Sequence, residues 1–184
     1  MKTRRRALLV ASTLGVVLLA AGLVDAKLVR TGEAAVAAHI KATAGINFDA
    51  RTTDLRVSES ADGIITLVVP LATLQTGIGR RDKDMKDKLQ VDRFPAAELK
   101  VQRAALKFPD DGKEVGASAP ATLSLHGQTR PVTIGYKARR AGSSYSVQGS
   151  TAIDMRDFGI EPPTRLGLKV QPQVAIAVRF QLTD

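Results

Sequence analysis

The C-terminal segment from Val170 to Leu182 alternates between two kinds of residue, and this pattern constrains the fold more than any other feature of the chain. One set of alternate positions is apolar or proline: Val170, Pro172, Val174, Ile176, Val178, Phe180 and Leu182. The positions between them hold glutamine, alanine and arginine. A period of two predicts a β-strand with one apolar face. Pro172 lacks a backbone donor, so we expect full strand pairing only after it.

The same period recurs in short segments along the chain. Asp62-Gly63 is a turn signal, and it predicts a hairpin between residues 54–59 and a strand that starts at Ile64. Further alternating segments span residues 34–41, 121–127, 130–138 and 145–153. The first of these also fits a helix, but its place before the turn at Gly45 favours a strand. Several closely spaced strands predict an all-β protein, either closed or built as a sandwich.

One charged segment near residues 80–90 interrupts the strand pattern and predicts a short helix. Acidic residues precede basic ones by four positions, as in Asp82 and Lys86. Such pairs stabilise a helix by about 0.2–0.5 kcal/mol each. Phe94-Pro95 is predicted to stop the helix, because proline disfavours the α conformation in the residue before it.

The first 26 residues predict a secretory signal peptide and export to the periplasm or out of the cell. A basic start precedes an apolar, uncharged run from Ala7 to Val24, and Val24-Asp25-Ala26 offers suitable side chains for cleavage. The alternative is an uncleaved anchor. The run would be about 27 Å long as a helix, close to the roughly 30 Å of a bilayer core.

Residues 27–184 predict one domain whose composition excludes several classes of function. They hold 23 basic and 17 acidic residues, and the charges are interspersed. Nucleic-acid-binding proteins usually show a basic stripe with aromatic residues, so we expect no nucleic-acid partner. The excess of basic residues favours a transient contact with a membrane surface. The sequence leaves a homodimer open.

The residues with catalytic or metal-binding chemistry form no recognisable site. The chain has no cysteine, and its histidines, His39 and His126, are far apart in sequence. We therefore predict no enzymatic activity, no cofactor and no metal site. The alternation places His126 opposite Leu123 and Leu125, so a surface position is expected.

Three segments carry a resemblance to a known family. They span residues 68–101, 123–134 and 150–163. Their motifs, in chain order, are Thr76-Gly77, Arg81-Asp82, Phe94-Pro95, Leu123 with Gly127, Arg130 and Val132, and Asp157-Phe158-Gly159. With their order and spacing over residues 54–182, these motifs resemble the YceI-like family.

The resemblance implies a lipocalin-like antiparallel β-barrel of about eight strands, with an elongated hydrophobic pocket. It also implies a periplasmic protein of a Gram-negative host that binds polyisoprenoid or another amphiphilic lipid, and no catalysis. Residues 33–53 depart from the family pattern, since they are short and contain only Phe48 as an aromatic residue. This predicts that the first two strands are abbreviated.

The candidate ligand-binding residues are apolar side chains expected to face the barrel interior or the helix that packs on it. They are Met85, Leu89, Phe94, Leu123, Leu125, Val132, Ile134, Phe158, Val174, Ile176, Val178 and Phe180. Met85 and Leu89 share a helix face, because they lie four positions apart. Arg81 and Asp82 are candidates for contact with a polar headgroup. The alternative is that Asp82 only stabilises the first turn of the helix.

Two functions of different class fit these observations. The first is an exported binding protein that holds a long apolar chain (polyisoprenoid, isoprenoid quinone or fatty-acyl lipid) inside the barrel. The second is a non-catalytic structural or stress-response barrel with a filled interior and a protein partner. The interior volume separates them, because only the first requires a continuous apolar cavity of several hundred Å³.

Overall fold

The computed structural model describes residues 27–165 and 167–184, apart from the side chain of Arg165. The predicted signal peptide, residues 1–26, lies outside the described residues. Within the described ranges, none of the helices has the length and apolar character that crossing a bilayer requires.

Strands dominate the described part of the chain, and one α-helix interrupts them. The strands are β1 (Val29–Ala42), β2 (Asn47–Thr52), β3 (Arg56–Glu59), β4 (Ile64–Pro70), β5 (Ala96–Gln102), β6 (Glu114–Leu125), β7 (Gln128–Ala141), β8 (Ser144–Asp154), β9 (Thr164–Arg165) and β10 (Leu168–Thr183). The helix is α1 (Gly79–Leu89). Short 3₁₀ turns cover Thr43–Gly45, Leu71–Thr73, Arg103–Ala105 and Met155–Phe158. The prediction of an all-β fold with one charged helix is confirmed.

The strands form a single antiparallel sheet that curls into a half-barrel. Its order is β2-β1-β10-β8-β7-β6-β5-β4-β3, with β9 paired to β10. β10 pairs on one side with β1 and on the other with β8. Its pairing with β8 starts at Gln173, which confirms the effect expected of Pro172. The predicted hairpin of β3 and β4 is confirmed too.

Polar contacts join the two edges of the curled sheet at the end where β1 begins. The backbone N–H of Leu28 donates to Glu59 Oε2 at 3.0 Å, and Arg103 Nη1 donates to both Glu59 carboxylate oxygens at 3.1 and 3.0 Å. The Glu59 side chain is only 7% exposed. Because a buried carboxylate is costly without partners, these contacts hold β3 next to the start of β1.

Two predictions about local structure were wrong. β1 has 14 residues and is among the longest strands, so the first strand is not abbreviated. The helix ends at Leu89, before Phe94-Pro95, because Gln90 adopts a left-handed conformation (φ 49°) and its N–H donates to Asp87 O and Lys86 O. A left-handed residue at this position is a common way for a helix to end.

The hairpin between β6 and β7 turns on two residues, His126 and Gly127. Leu125 pairs with Gln128, and both turn residues have positive φ, 51° and 74°. This is the backbone of a tight hairpin turn that matches the twist of its strands. A Cβ atom built on Gly127 would lie 2.6 Å from Phe94 Cε1. The position therefore requires glycine for both its conformation and the space that Phe94 occupies.

We predict that Gly127→Ala lowers the free energy of unfolding by about 2 kcal/mol or more, since left-handed strain costs about 1–2 kcal/mol and Phe94 must also move. Gly142→Ala is the matched control. Gly142 has φ +61° and nothing within 4 Å of its added Cβ. Its replacement by alanine therefore measures only the cost of the left-handed backbone conformation. Urea unfolding measures both variants. Equal losses would contradict the role of Phe94.

Candidate functional site: an apolar cavity beside helix α1

The curled sheet encloses a cavity of about 1080 Å³. Along β10 its lining runs from Val170 to Leu182. At about 3.3 Å per residue, this stretch is roughly 40 Å long. The volume lies slightly above the usual range for small-molecule sites, which is about 300–1,000 Å³. The interior is therefore hollow and elongated.

The walls of the cavity are apolar because most of the strands turn one face of their alternating pattern inward. The strand residues on the wall include Val36, Ile40, Ile65, Leu67, Val69, Leu99, Leu123, Leu125, Ile134, Val147, Ile153, Val174, Ile176, Val178, Phe180 and Leu182. Charged residues reach the lining from α1 and from loops: Arg81, Asp84, Asp87, Lys88, Lys107 and Glu161. A bound molecule would meet hydrocarbon along the strands and charge only near α1 and the loops.

Helix α1 lies against the cavity and is tied to the segment that precedes it. Met85 and Leu89 line the cavity. Arg81 Nε donates to Thr76 Oγ1 at 2.9 Å, and its Nη2 donates to the Thr76 carbonyl oxygen at 2.9 Å. The Arg81 guanidinium also stacks over the ring of Phe48 on β2, 4.1 Å from the centroid. Cation–π stacking of this kind stabilises by about 0.5–2 kcal/mol. Arg81 therefore links α1 to β2.

Asp82 faces the same preceding segment and does not line the cavity. The backbone N–H and the hydroxyl of Thr76 donate to Asp82 Oδ1 at 2.6 and 2.5 Å. These hydrogen bonds lower the pKa of Asp82, with smaller contributions from the charges of Lys86 and Arg81. The Asp82 carboxylate therefore accepts hydrogen bonds from Thr76, although the four-residue spacing had indicated a pair with Lys86. Of the two headgroup candidates, only Arg81 reaches the cavity.

The structure brings most of the predicted apolar residues together on the cavity wall. They are Met85, Leu89, Leu123, Leu125, Ile134, Val174, Ile176, Val178 and Phe180. Their role in binding a ligand stays a prediction, but their placement on one continuous surface is a finding.

Three predicted residues lie elsewhere. The Phe94 ring packs on the β6–β7 turn, with its centroid 4.9 Å from that of His126. Phe158 is 1% exposed and fills the core near Met155 and Ile160. Val132 packs against the core from β7 and does not reach the cavity surface. Val132 was predicted from strand alternation, and Phe94 and Phe158 from their motifs. Neither kind of signal separates a side chain in the solid part of the core from one on the cavity wall.

His126 is not the surface residue that the strand pattern predicted. The turn at residues 126–127 breaks the alternation and directs the ring inward against Phe94. His126 Nδ1 donates to the carbonyl oxygen of Phe158 at 3.0 Å, because a carbonyl can only accept. Nε2 is buried, and within the described ranges it is the one buried side-chain nitrogen or oxygen without a hydrogen-bond partner. His126 therefore holds the 3₁₀ turn of residues 155–158 against β6.

The sequence analysis did not name the residues of β1 and β4 that line the cavity. Val36 and Ile40 of β1, with Ile65, Leu67 and Val69 of β4, line the cavity. The signal was present, because both segments were predicted as strands and these residues fall on alternate positions. Among the described residues, no group of three or more histidine, cysteine or acidic side chains is arranged to hold a metal ion.

The half-barrel and its enclosed apolar cavity define the class of protein: a lipocalin-like barrel with a hollow interior. A family model for the YceI-like domain matches residues 23–182. The chain therefore belongs to the YceI-like family, as the motifs at Thr76-Gly77 and Asp157-Phe158-Gly159 predicted. No curated protein sequence matches the chain.

Solved structures with the same fold have low sequence identity to this chain. A polyisoprenoid binding domain from Saccharophagus degradans superposes with a TM-score of 0.72 at 20% identity, covering 85% of this chain and 97% of that one. BcnA from Burkholderia cenocepacia gives 0.63 at 14% identity, with 80% and 95% covered. The Campylobacter jejuni YCEI protein gives 0.52 at 12% identity, with 71% and 80% covered. At these identities, the likeness establishes the fold.

We predict that Asp82→Asn makes the protein less stable at pH 7 and that this difference shrinks in acid. The folded-state pKa of Asp82 lies below its ordinary value of 3.8. Its contribution is thus present above about pH 4 and is lost as the pH falls through the folded-state pKa. Asp87→Asn is the control, since Asp87 is exposed on the same helix and its carboxylate makes no hydrogen bond within the described ranges. Urea unfolding at pH 7 and pH 3 measures both variants. If Asp82→Asn lowered the free energy of unfolding by the same amount at both pH values, the assignment would be contradicted.

Proposed function

We propose that the protein is an exported, non-catalytic binding protein that holds one long apolar chain in the cavity. The observation that carries the proposal is the cavity of about 1080 Å³, walled by aliphatic strand residues over roughly 40 Å. The polyisoprenoid-binding description of the Saccharophagus degradans domain, which has the same fold, supports the same class of ligand. Residues 1–26 would serve as the signal peptide that directs the chain to the periplasm or the exterior.

The energetics favour a long chain over a small ligand. Burying a CH₂ group gains about 0.8 kcal/mol, whereas association costs about 4–15 kcal/mol in lost translational and rotational freedom. A ligand with few polar contacts must therefore bury roughly 5 to 20 such groups before binding becomes favourable. A polyisoprenoid, the tail of an isoprenoid quinone or a fatty-acyl lipid meets this requirement. The cavity has room for such a chain along its length.

The alternative of a filled structural barrel is disfavoured by the cavity itself. That alternative requires large side chains to meet across the interior. A cavity of about 1080 Å³ instead separates the walls. Val178 and Val147 border it, and both are only partly buried within the protein. A partner that binds the outer surface is compatible with a hollow barrel.

We expect protein purified from its native host to carry an apolar chain. Native mass spectrometry would show a mass above that of the chain, and lipid extraction would release a compound with a long hydrocarbon tail. A barrel that is consistently empty, and that takes up neither isoprenoid quinones nor fatty-acyl chains in a displacement assay, would refute the proposed function.

We predict that Val178→Trp weakens binding of a fluorescent long-chain lipid by about 10-fold or more, because the indole occupies cavity volume and removes buried apolar contact worth over 1.4 kcal/mol. The protein should stay folded, since Val178 faces open space. Ala177→Trp is the matched control, because Ala177 is the next residue on the same strand and is exposed on the outer face. Equal affinities of the two variants would place the ligand outside the cavity.

A further inference from the structure

The end of the cavity next to α1 carries exposed apolar side chains. Ile46, Ile78 and Leu168 are 40%, 54% and 36% exposed. Ile46 and Leu168 also line the cavity. Ile78 immediately precedes α1, and its carbonyl accepts from the Asp82 N–H. Large apolar side chains exposed together around an opening indicate a contact surface.

Contacts across the end of the barrel show that these residues belong to the same region. The backbone N–H of Lys169 donates to Thr43 Oγ1 at 3.0 Å, which joins the start of β10 to the turn before Ile46. The N–H of Ala42 donates to Ile46 O. Arg81 of α1 stacks on Phe48, two residues after Ile46. The start of α1, the β1–β2 turn and the start of β10 therefore surround one end of the cavity, which we call the mouth face.

Basic residues accompany the apolar ones on the mouth face. α1 carries five basic and three acidic residues, which gives it a net charge of +2. Arg80, Lys83 and Lys169 are exposed. Within the described ranges, the structure records no ion pair for these three side chains. Their charges are thus available to an anionic surface.

The opposite end of the barrel has a different character. Its exposed apolar residues are Val29 and Phe108. Phe108 is covered on one side by the Arg103 guanidinium, 4.7 Å from its centroid, and Arg103 is paired with Glu59. β1 leads from Val29 to the mouth face, a distance of about 45 Å at 3.3 Å per residue. The two ends can therefore be changed independently.

We propose that the mouth face docks on the surface of a bilayer that contains anionic lipids. Exposed apolar side chains beside basic ones are the combination that binds peripheral proteins to such membranes. Docking would hold the opening against the bilayer, so that a lipid chain passes between membrane and cavity without crossing water. The purpose of docking, to transfer a lipid chain, rests on the proposed function. The mouth face itself is defined by its own exposed apolar and basic residues.

The test compares two triple variants of the full chain in flotation with phosphatidylcholine vesicles, with and without 30% phosphatidylglycerol. The mouth variant is Ile78→Ser, Arg80→Glu and Lys83→Glu, none of which lines the cavity. The control variant is Val29→Ser, Lys137→Glu and Arg139→Glu, which changes the net charge equally. Val29 is 56% exposed, close to the 54% of Ile78, and Lys137 and Arg139 lie on the outer face of β7. All the proteins share the same N-terminal segment.

We expect the mouth variant to lose about 10-fold or more of the affinity for anionic vesicles, since each basic residue near such a surface contributes about 1 kcal/mol. The control variant should retain most of the binding, and binding of the unchanged protein should fall as salt is raised. Equal losses in the two triple variants, or salt-independent binding, would overturn the docking proposal. So would the absence of binding to anionic vesicles at low salt.

A second readout separates docking from lipid holding. The same proteins are offered a long-chain lipid from ethanol, and uptake is scored by native mass spectrometry. Uptake by both triple variants, with vesicle binding lost in the mouth variant alone, supports docking. Absence of uptake by every protein would refute the proposed function, while the vesicle result would still decide the docking proposal.

Discussion

The double pairing of β10 determines which side chains of the curled sheet face its interior. β10 pairs with β1 over most of its length and with β8 from Gln173 to Thr183. A shift by one residue would turn Val174, Ile176 and Val178 from the cavity to the solvent. The register therefore fixes which face is apolar, and the curl of the sheet turns that face into the wall of a cavity. Helix α1 then lies against an opening that the strands leave.

The hollow interior explains features that a solid core would not. Many wall residues are only partly buried, although the protein surrounds them, because they border open space. A void of this size costs stability when it stays empty, since its lining loses dispersion contacts. A bound hydrocarbon chain would restore those contacts. This relation links the packing of the barrel to its proposed function, because the proposed ligand would fill the void in the core.

Much of the fold could be predicted from the sequence, because the period of two determines both the strands and their inner faces. The 170–182 segment predicted a long strand, its apolar face and the effect of Pro172. The motif order predicted the family and one charged helix near residues 80–90. The family resemblance implied the cavity, but periodicity alone could not predict it, because Val178 on its wall and Phe158 in solid core show the same apolar character. His126 could not be placed either, since the turn that redirects it depends on backbone conformation and not on alternation.

We propose that a single apolar chain occupies the cavity along its length. The decisive measurement is a crystal structure of the protein purified with its native ligand. We expect continuous, unbranched or regularly branched density beside β10, from Val170 near α1 to Leu182 at the far end. This proposal would be contradicted by a collapsed interior in which the side chains of β1, β4 and β10 meet and leave no room for a chain.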